Sequence, residues 1–135
     1  MEITYSRLNA DELSGATQAD YLVSLDGHLR VIDGALTIYD EPAFPVVEFA
    51  RNLFIWLDDP DRSDFEFDSM SYEEVGSIAV RKNAAGWTIE SVFAPGVSSS
   101  PLSWTEVESS CRGFISRVAG DLHRLGLDPD DVLGR

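Results

Sequence analysis

The sequence predicts an α+β fold, a single domain in which an antiparallel meander sheet of about six to seven strands carries two helices, at about 45–58 and 103–125. Two observations support this prediction. Short strand-like runs are separated by turn-forming residues, and two apolar stretches repeat at helical spacing. A chain of 135 residues with 44% hydrophobic residues has the size and the apolar content for one core, so residues 1–135 are expected to form one domain.

Strand-like runs fill the first third of the chain. The first run alternates polar and apolar residues around Ile3 and Tyr5, as in a strand with one buried face. Asp-Gly pairs at 26–27 and 33–34 separate the next three runs, and such pairs supply the positive backbone angles of tight hairpin turns. Those three runs span residues 21–25, 28–32 and 35–39. The prolines at 42 and 45 are then expected to end the sheet.

The helix predicted at about 45–58 is apolar on most of its surface. Glu48, Arg51 and Asn52 interrupt its apolar residues at offsets of three and four, so they form a narrow polar stripe. On such a helix Glu48 and Arg51 are close enough to pair across one turn. A helix with so much to bury is expected to lie across the sheet at the centre of the core.

The second half of the chain predicts more strands and a long helix. A short strand contains Phe65 and Phe67, and strands at 77–82 and 87–93 flank a hairpin loop; a loop rich in serine, proline and glycine follows at 94–101. Ser103 and Glu106 fit a capping box at the start of the helix at about 103–125. Apolar residues then recur every three or four positions and form one stripe: Trp104, Val107, Cys111, Phe114, Val118, Leu122 and Leu125.

The chain is strongly acidic, with 24 Asp and Glu against 10 Lys and Arg and a formal net charge of -14. This balance argues against direct binding to nucleic acid or to an anionic membrane, because neutralising phosphates takes clustered cations. A basic protein partner is favoured instead. The single cysteine, the lack of a membrane-length apolar run and the lack of a signal-peptide pattern predict a cytoplasmic location.

No motif for catalysis, a cofactor or a metal stands out. His28 and His123 have no nucleophile setting, and Cys111 lies on an apolar stripe, where a buried, inert thiol is expected. The glycine-rich loops that bind nucleotides are absent. A calcium loop starting at Asp59 would place Asp64 where glycine is needed. The sequence therefore predicts no enzyme, no cofactor and no catalytic or metal residues, although a loose magnesium or calcium site is left open.

Half of the net charge lies in residues Asp58–Glu74, which we call the acidic segment. If Phe65 and Phe67 point into the core, the acidic residues beside them point outward together. Crowded like charges repel and cost stability, so such a segment is read either as a partner-binding face or as a solubilising one. The predicted partner-binding residues are Asp58, Asp59, Asp61, Asp64, Glu66, Asp68, Glu73 and Glu74.

Three stretches resemble small uncharacterised bacterial proteins that are similar to immunity proteins of polymorphic-toxin systems. They are residues 44–49 leading to Trp56 and Leu57, the strand at 65–71, and residues 86–91. The resemblance covers about residues 1–125 and supplies no catalytic residue. It implies a small, acidic, cytosolic protein without enzymatic activity, which blocks a nuclease toxin by covering its basic surface.

Three functions follow as hypotheses. The leading one is an immunity-type inhibitor in which Asp64, Glu66 and Asp68 pair with Arg or Lys of a basic protein partner. The second is a small-ligand-binding or enzymatic α+β domain with an apolar pocket lined by the tryptophans at 56, 87 and 104. The third is a DNA mimic that inhibits a nucleic-acid-binding protein. The sequence predicts no oligomeric state.

Overall fold

The computed structural model describes residues 1–135 and contains two three-stranded antiparallel sheets and four helices. The first sheet has the order β1 (Glu2–Asn9), β2 (Asp26–Asp33), β3 (Leu36–Phe44). The second has the order β4 (Phe65–Glu66), β5 (Ala79–Asn83), β6 (Gly86–Glu90). The helices are α1 (Gln18–Ser24), α2 (Val46–Leu57), α3 (Trp104–Arg124) and α4 (Pro129–Leu133). The α+β class is confirmed, whereas the single meander sheet of six to seven strands is wrong.

The sheet is divided because β6 has no free edge to offer β3. The segment predicted as a loop at 94–101 returns along β6, where the backbones of Trp87 and Leu102 exchange hydrogen bonds of 2.8 and 2.7 Å. Gly86 permits this approach, since its φ is +136° and a Cβ there would meet the Leu102 carbonyl oxygen at 2.7 Å. On the other side, β3 contains Pro42, whose missing N–H is tolerated at the edge of a sheet.

The run at 21–25 was expected to be a strand, and it is mostly helical. Thr17 and Asp20 form a reciprocal capping box at the start of α1, which turns the following apolar residues into a helix with Leu22 buried. The Asp-Gly pair at 26–27 consequently begins β2 and does not form a turn. At the second pair Gly34 has a φ of +60°, and the hairpin between β2 and β3 closes there as predicted.

Helices α2 and α3 confirm the two predicted helices. Ser103 caps α3 by accepting a hydrogen bond from the Glu106 N–H at 3.2 Å, which is one half of the predicted capping box. Eight of the twelve residues of α2 are buried, and α2 contacts α1, α3, α4 and β2. The prediction that α2 lies at the centre of the core is therefore correct.

One hydrophobic cluster of 32 buried residues extends through both sheets and the helices. Its centre includes Phe44 of β3, Phe49 of α2 and Phe67 of the acidic segment, whose ring centroids are 5.1–5.4 Å apart. None of the four helices has the length and hydropathy that a membrane span requires. The acidic segment thus runs from the end of α2 into the second sheet and is anchored at the middle of the core.

Candidate protein-binding surface

The acidic segment turns its aromatic residues inward and its acidic residues outward. Phe65 and Phe67 are 5% and 0% exposed, so the predicted inward direction of these two rings is confirmed. Seven of the eight predicted binding residues are exposed, and Asp59 is half-buried. The carboxylates do not share one environment, however, because the segment passes three different parts of the molecule.

The first part, Asp58 to Arg62, follows the end of α2. Asp58 is the C-cap residue of the helix, and Asp59 Oδ1 accepts a hydrogen bond from the Asp61 N–H at 2.9 Å. Arg62, the only cation of the segment, has a φ of +46° and holds its guanidinium 4.6 Å from the centre of the Trp104 ring. The arginine therefore stacks on an aromatic ring and leaves the Asp58 and Asp61 carboxylates without an ion pair.

The second part forms an ion-pair network on the second sheet. Arg81 Nε donates to Glu90 Oε1 at 2.5 Å, and Arg81 Nη1 lies 3.0 Å from Glu66 Oε1 and 3.9 Å from Asp64 Oδ2. Asp64 Oδ1 also accepts from the backbone N–H of Lys82 at 2.9 Å. The hydrogen-bonded carboxylates of Glu90 and Glu66 raise the pKa of Arg81. Asp64 and Glu66 are thus already partnered within the chain.

Arg81 and Glu90 were not singled out in the sequence, and they join the site through strand register. Ala79 of β5 pairs with Glu66 of β4 on one side and with Glu90 of β6 on the other. Arg81 lies two residues further along β5, hence on the same face, and reaches both carboxylates. Only the pairing of three strands reveals this cluster.

The third part, Asp68 to Glu74, carries carboxylates that are free of internal partners. The side chains of Asp68, Glu73 and Glu74 are exposed and take part in no hydrogen bond or ion pair. Together with Asp58 and Asp61 they are the five unpaired carboxylates of the acidic segment. These five, and not all eight predicted residues, are available to a partner without breaking a contact of the fold.

Glu48 of α2 anchors this third part, although it was expected on a polar stripe. Its side chain is 2% exposed, and its carboxylate accepts hydrogen bonds from Ser69 Oγ at 2.5 Å and from the Met70 N–H at 3.0 Å. The predicted pair with Arg51 is wrong, because Glu48 faces the loop and Arg51 forms no ion pair, its buried Nε lacking a hydrogen-bond partner. The loop is therefore tied to α2 by a buried carboxylate.

Exposed apolar residues lie beside the free carboxylates. Met70 and Val75 within the segment are 60% and 46% exposed, and Val92 and Phe93 after β6 are 49% and 52% exposed. The Val92 N–H donates to the Gly76 carbonyl at 2.8 Å, which brings the two stretches together. Apolar residues bordered by charged ones are typical of protein interaction sites.

A concave site of about 440 Å³ adjoins this surface, and we call it the aromatic cavity. Its walls include Tyr39 and Glu41 of β3, Tyr72 of the acidic segment, and Phe93. Burial raises the pKa of both tyrosines, and the neighbouring Glu41 carboxylate adds to each shift. The two phenols are therefore neutral near physiological pH.

The residues considered for chemistry are dispersed. His28 contacts Asp40 on the first sheet, whereas His123 is exposed on α3. Cys111 is fully buried, and burial raises the pKa of its thiol to about 12, as an inert cysteine requires. No group of three or more His, Cys, Asp or Glu side chains is placed to hold a metal ion.

The three tryptophans form a packed cluster. Trp56, Trp87 and Trp104 lie with ring centroids 5.2–5.8 Å apart, and none of them lines a cavity of the structure. The three rings therefore fill space and do not line the apolar pocket of the second hypothesis. The two larger cavities are lined in part by the last part of the acidic segment, one by Tyr72 and the other by Asp68.

Comparison with known proteins identifies a family. A family model described as a domain of unknown function, DUF7878, matches residues 1–124. No curated protein and no solved structure matches the chain. The match spans every element except α4.

Proposed function

The chain belongs to the DUF7878 family, whose function is unknown, and we propose that it is a non-enzymatic domain that binds a basic protein surface through the acidic segment. The observation that carries this proposal is the set of five exposed carboxylates without an internal partner: Asp58, Asp61, Asp68, Glu73 and Glu74. Exposed apolar side chains lie beside three of them. The surface therefore combines charge for recognition with apolar area for burial.

The electrostatics favour a cationic partner. Like charges in one segment repel one another in the free protein, and Arg or Lys side chains of a partner would relieve that repulsion on binding. Exposed charges act mainly on the association rate, which should be high and fall steeply as salt is added. Met70 and Val75 would supply the desolvated centre of the contact, where most binding energy is gained.

Immunity-type inhibition is the biological form that we propose for this binding. An enzyme that acts on nucleic acid presents a basic surface to phosphates, and an acidic domain that covers this surface excludes the substrate. To cover such a surface tightly, the domain needs an acidic loop that is already rigid before binding. The hydrogen bonds from Ser69 and Met70 to the buried Glu48 carboxylate supply that rigidity.

The proposal is tested with the protein encoded beside this gene, whose affinity and association rate are measured at low and high salt. One variant removes three free charges of the surface: Asp68→Asn, Glu73→Gln and Glu74→Gln. Its control removes three exposed, unpaired charges elsewhere: Glu2→Gln, Glu106→Gln and Asp131→Asn. We expect the first variant to associate at least about tenfold more slowly, and the control to change by less than about twofold.

Equal effects of the two variants would reject the acidic segment as the interface. Salt-insensitive association would reject the electrostatic basis of recognition. If the partner is a nuclease, a stoichiometric amount of the domain should abolish cleavage. Tight binding without inhibition would leave a binding domain and exclude the immunity-type role.

A further inference from the structure

We propose that the aromatic cavity receives one cationic side chain, an arginine or a lysine, of the bound protein. This inference rests on the proposed function, since it specifies how the basic partner is recognised. It adds a site on β3 and after β6 to the acidic segment and names the chemical group that the site takes. No residue of this cavity except Tyr72 belongs to the acidic segment.

Three aromatic rings line the cavity, and Phe93, which is 52% exposed, is the most accessible of them. The rings of Tyr39 and Phe93 are stacked, with centroids 6.5 Å apart and planes 23° apart. The rings of Tyr72 and Phe93 meet edge to face at 6.4 Å and 79°. A cation held over ring faces within about 6 Å is attracted by the negative π-electron density, and a planar guanidinium also stacks on such faces.

The polar groups of the cavity favour positive charge and disfavour negative charge. Glu41 Oε1 accepts one hydrogen bond, from the Ala43 N–H at 3.1 Å, and the carboxylate has no cationic partner. The hydroxyl of Tyr72 is buried next to that of Tyr39, so Tyr72 offers its ring and not its oxygen to the cavity. The Glu41 carboxylate is thus an acceptor of the charge-assisted kind that an ammonium or guanidinium group binds most strongly.

The negative charge of the lining favours any cation, and the apolar walls favour a cation that also has an apolar part. Asp40 also lines the cavity, but its carboxylate is held by His28 and by Arg30 Nε at 3.4 Å. Glu41 is therefore the one uncompensated charge among aromatic rings. This combination fits a side chain with an apolar stem and a cationic head, which arginine and lysine have. A small inorganic cation would leave the rings uncovered.

The probe for this site is the peptide acetyl-Gly-Arg-Gly-amide, titrated into isotope-labelled protein and followed by NMR. Its control is the same peptide with citrulline, which has nearly the same shape and no charge. We expect the arginine peptide to shift aromatic signals of Tyr39, Tyr72 and Phe93 and to bind at least about tenfold more tightly than the citrulline peptide.

Two variants locate the binding. Phe93→Ala removes the exposed ring and Glu41→Gln removes the charge with little change in shape, and each should weaken the arginine peptide at least about threefold. Ile55→Ala, at a side chain 51% exposed on α2, and Glu2→Gln are the matched controls, which should leave binding unchanged. Equal binding of both peptides, or equal affinity in all variants, would overturn the inference.

The two proposals fail in different ways. If the partner binds through the acidic segment and the arginine peptide does not shift the aromatic cavity, only the present inference is wrong. If the peptide binds there and no basic protein associates through the acidic segment, the proposed function is wrong. The aromatic cavity would then remain a binding site for arginine-containing peptides. In a partner complex, Phe93→Ala should speed dissociation, whereas charge removal at Glu73 and Glu74 should slow association.

Discussion

Replacing Ser69 by alanine should loosen the acidic segment and destabilise the whole fold. The Ser69 hydroxyl donates to the buried Glu48 carboxylate at 2.5 Å and accepts from the Ser71 N–H at 3.0 Å. A hydrogen bond to a charged group contributes about 1.5–3 kcal/mol, and a buried carboxylate that loses its donor is poorly solvated. We therefore expect the free energy of unfolding to fall by about 2 kcal/mol.

Urea denaturation followed by tryptophan fluorescence measures this change, because the three tryptophans lie together in or beside the core. With a denaturant dependence of about 1–3 kcal/mol per molar urea, the midpoint should fall by roughly 1 M. Ser71→Ala is the control, since Ser71 is exposed and its hydroxyl forms no hydrogen bond. Its effect should lie within about 0.5 kcal/mol.

A double-mutant cycle with Glu48→Gln separates the Ser69–Glu48 contact from other effects of each substitution. Residues joined by a buried hydrogen bond usually couple by about 0.5–3 kcal/mol, and we expect about 1 kcal/mol or more here. If Ser69→Ala is no more destabilising than Ser71→Ala, or if the effects of Ser69→Ala and Glu48→Gln are additive, the Ser69–Glu48 contact does not stabilise the fold. In that case the loop is held by the burial of Phe67 and not by Glu48.

Three further outcomes follow from the pKa shifts. Burial and, to a smaller extent, the like charge of Glu12 raise the pKa of Asp26, so Asp26→Asn should stabilise the protein at neutral pH and lose this advantage in acid, as thermal melts at both pH values would show. Hydrogen bonds from the Ser100 N–H and hydroxyl lower the pKa of Asp33. The ionised Asp33 side chain therefore stabilises the fold above about pH 4, and this stabilisation is lost as the pH falls further. Asp33→Asn should make the free energy of unfolding less dependent on pH in that acidic range. Burial raises the pKa of Cys111 to about 12, so a thiol reagent at neutral pH should label it only after unfolding, and rapid labelling of the native protein would contradict its position.

The two long helices could be predicted from the sequence because their signals are local. The cap at Ser103 and the apolar spacing of α3 lie within one stretch of chain, and the observed helix Trp104–Arg124 agrees with the prediction. Helix α1 was missed because the run at 21–25 is too short to show a helical period. Its capping box of Thr17 and Asp20 is also local, and attention to that pair would have identified the helix.

The division of the sheet and much of the site could not be predicted, because both depend on contacts between distant residues. The pairing of Leu102 with Trp87 occupies the free edge of β6, and no periodicity in either stretch of sequence predicts it. The outward direction of the carboxylates was predicted correctly from their alternation with Phe65 and Phe67. The aromatic cavity could not be predicted in this way, since Tyr39 and Phe93 meet only after two sheets have folded onto one core.

The charge of the acidic segment therefore has two different roles in the structure. Asp64 and Glu66 share Arg81 with Glu90, so reversing them would place cations beside a cation and disturb the second sheet. Weak binding by such a variant would say little about recognition, because the fold itself would have changed. Substitutions at Asp68, Glu73 and Glu74 break no internal contact, and a loss of binding there reports on the interface itself. Substitutions at Glu73 and Glu74, in the part of the segment next to the aromatic cavity, therefore test the interface more directly than substitutions at Asp64 and Glu66.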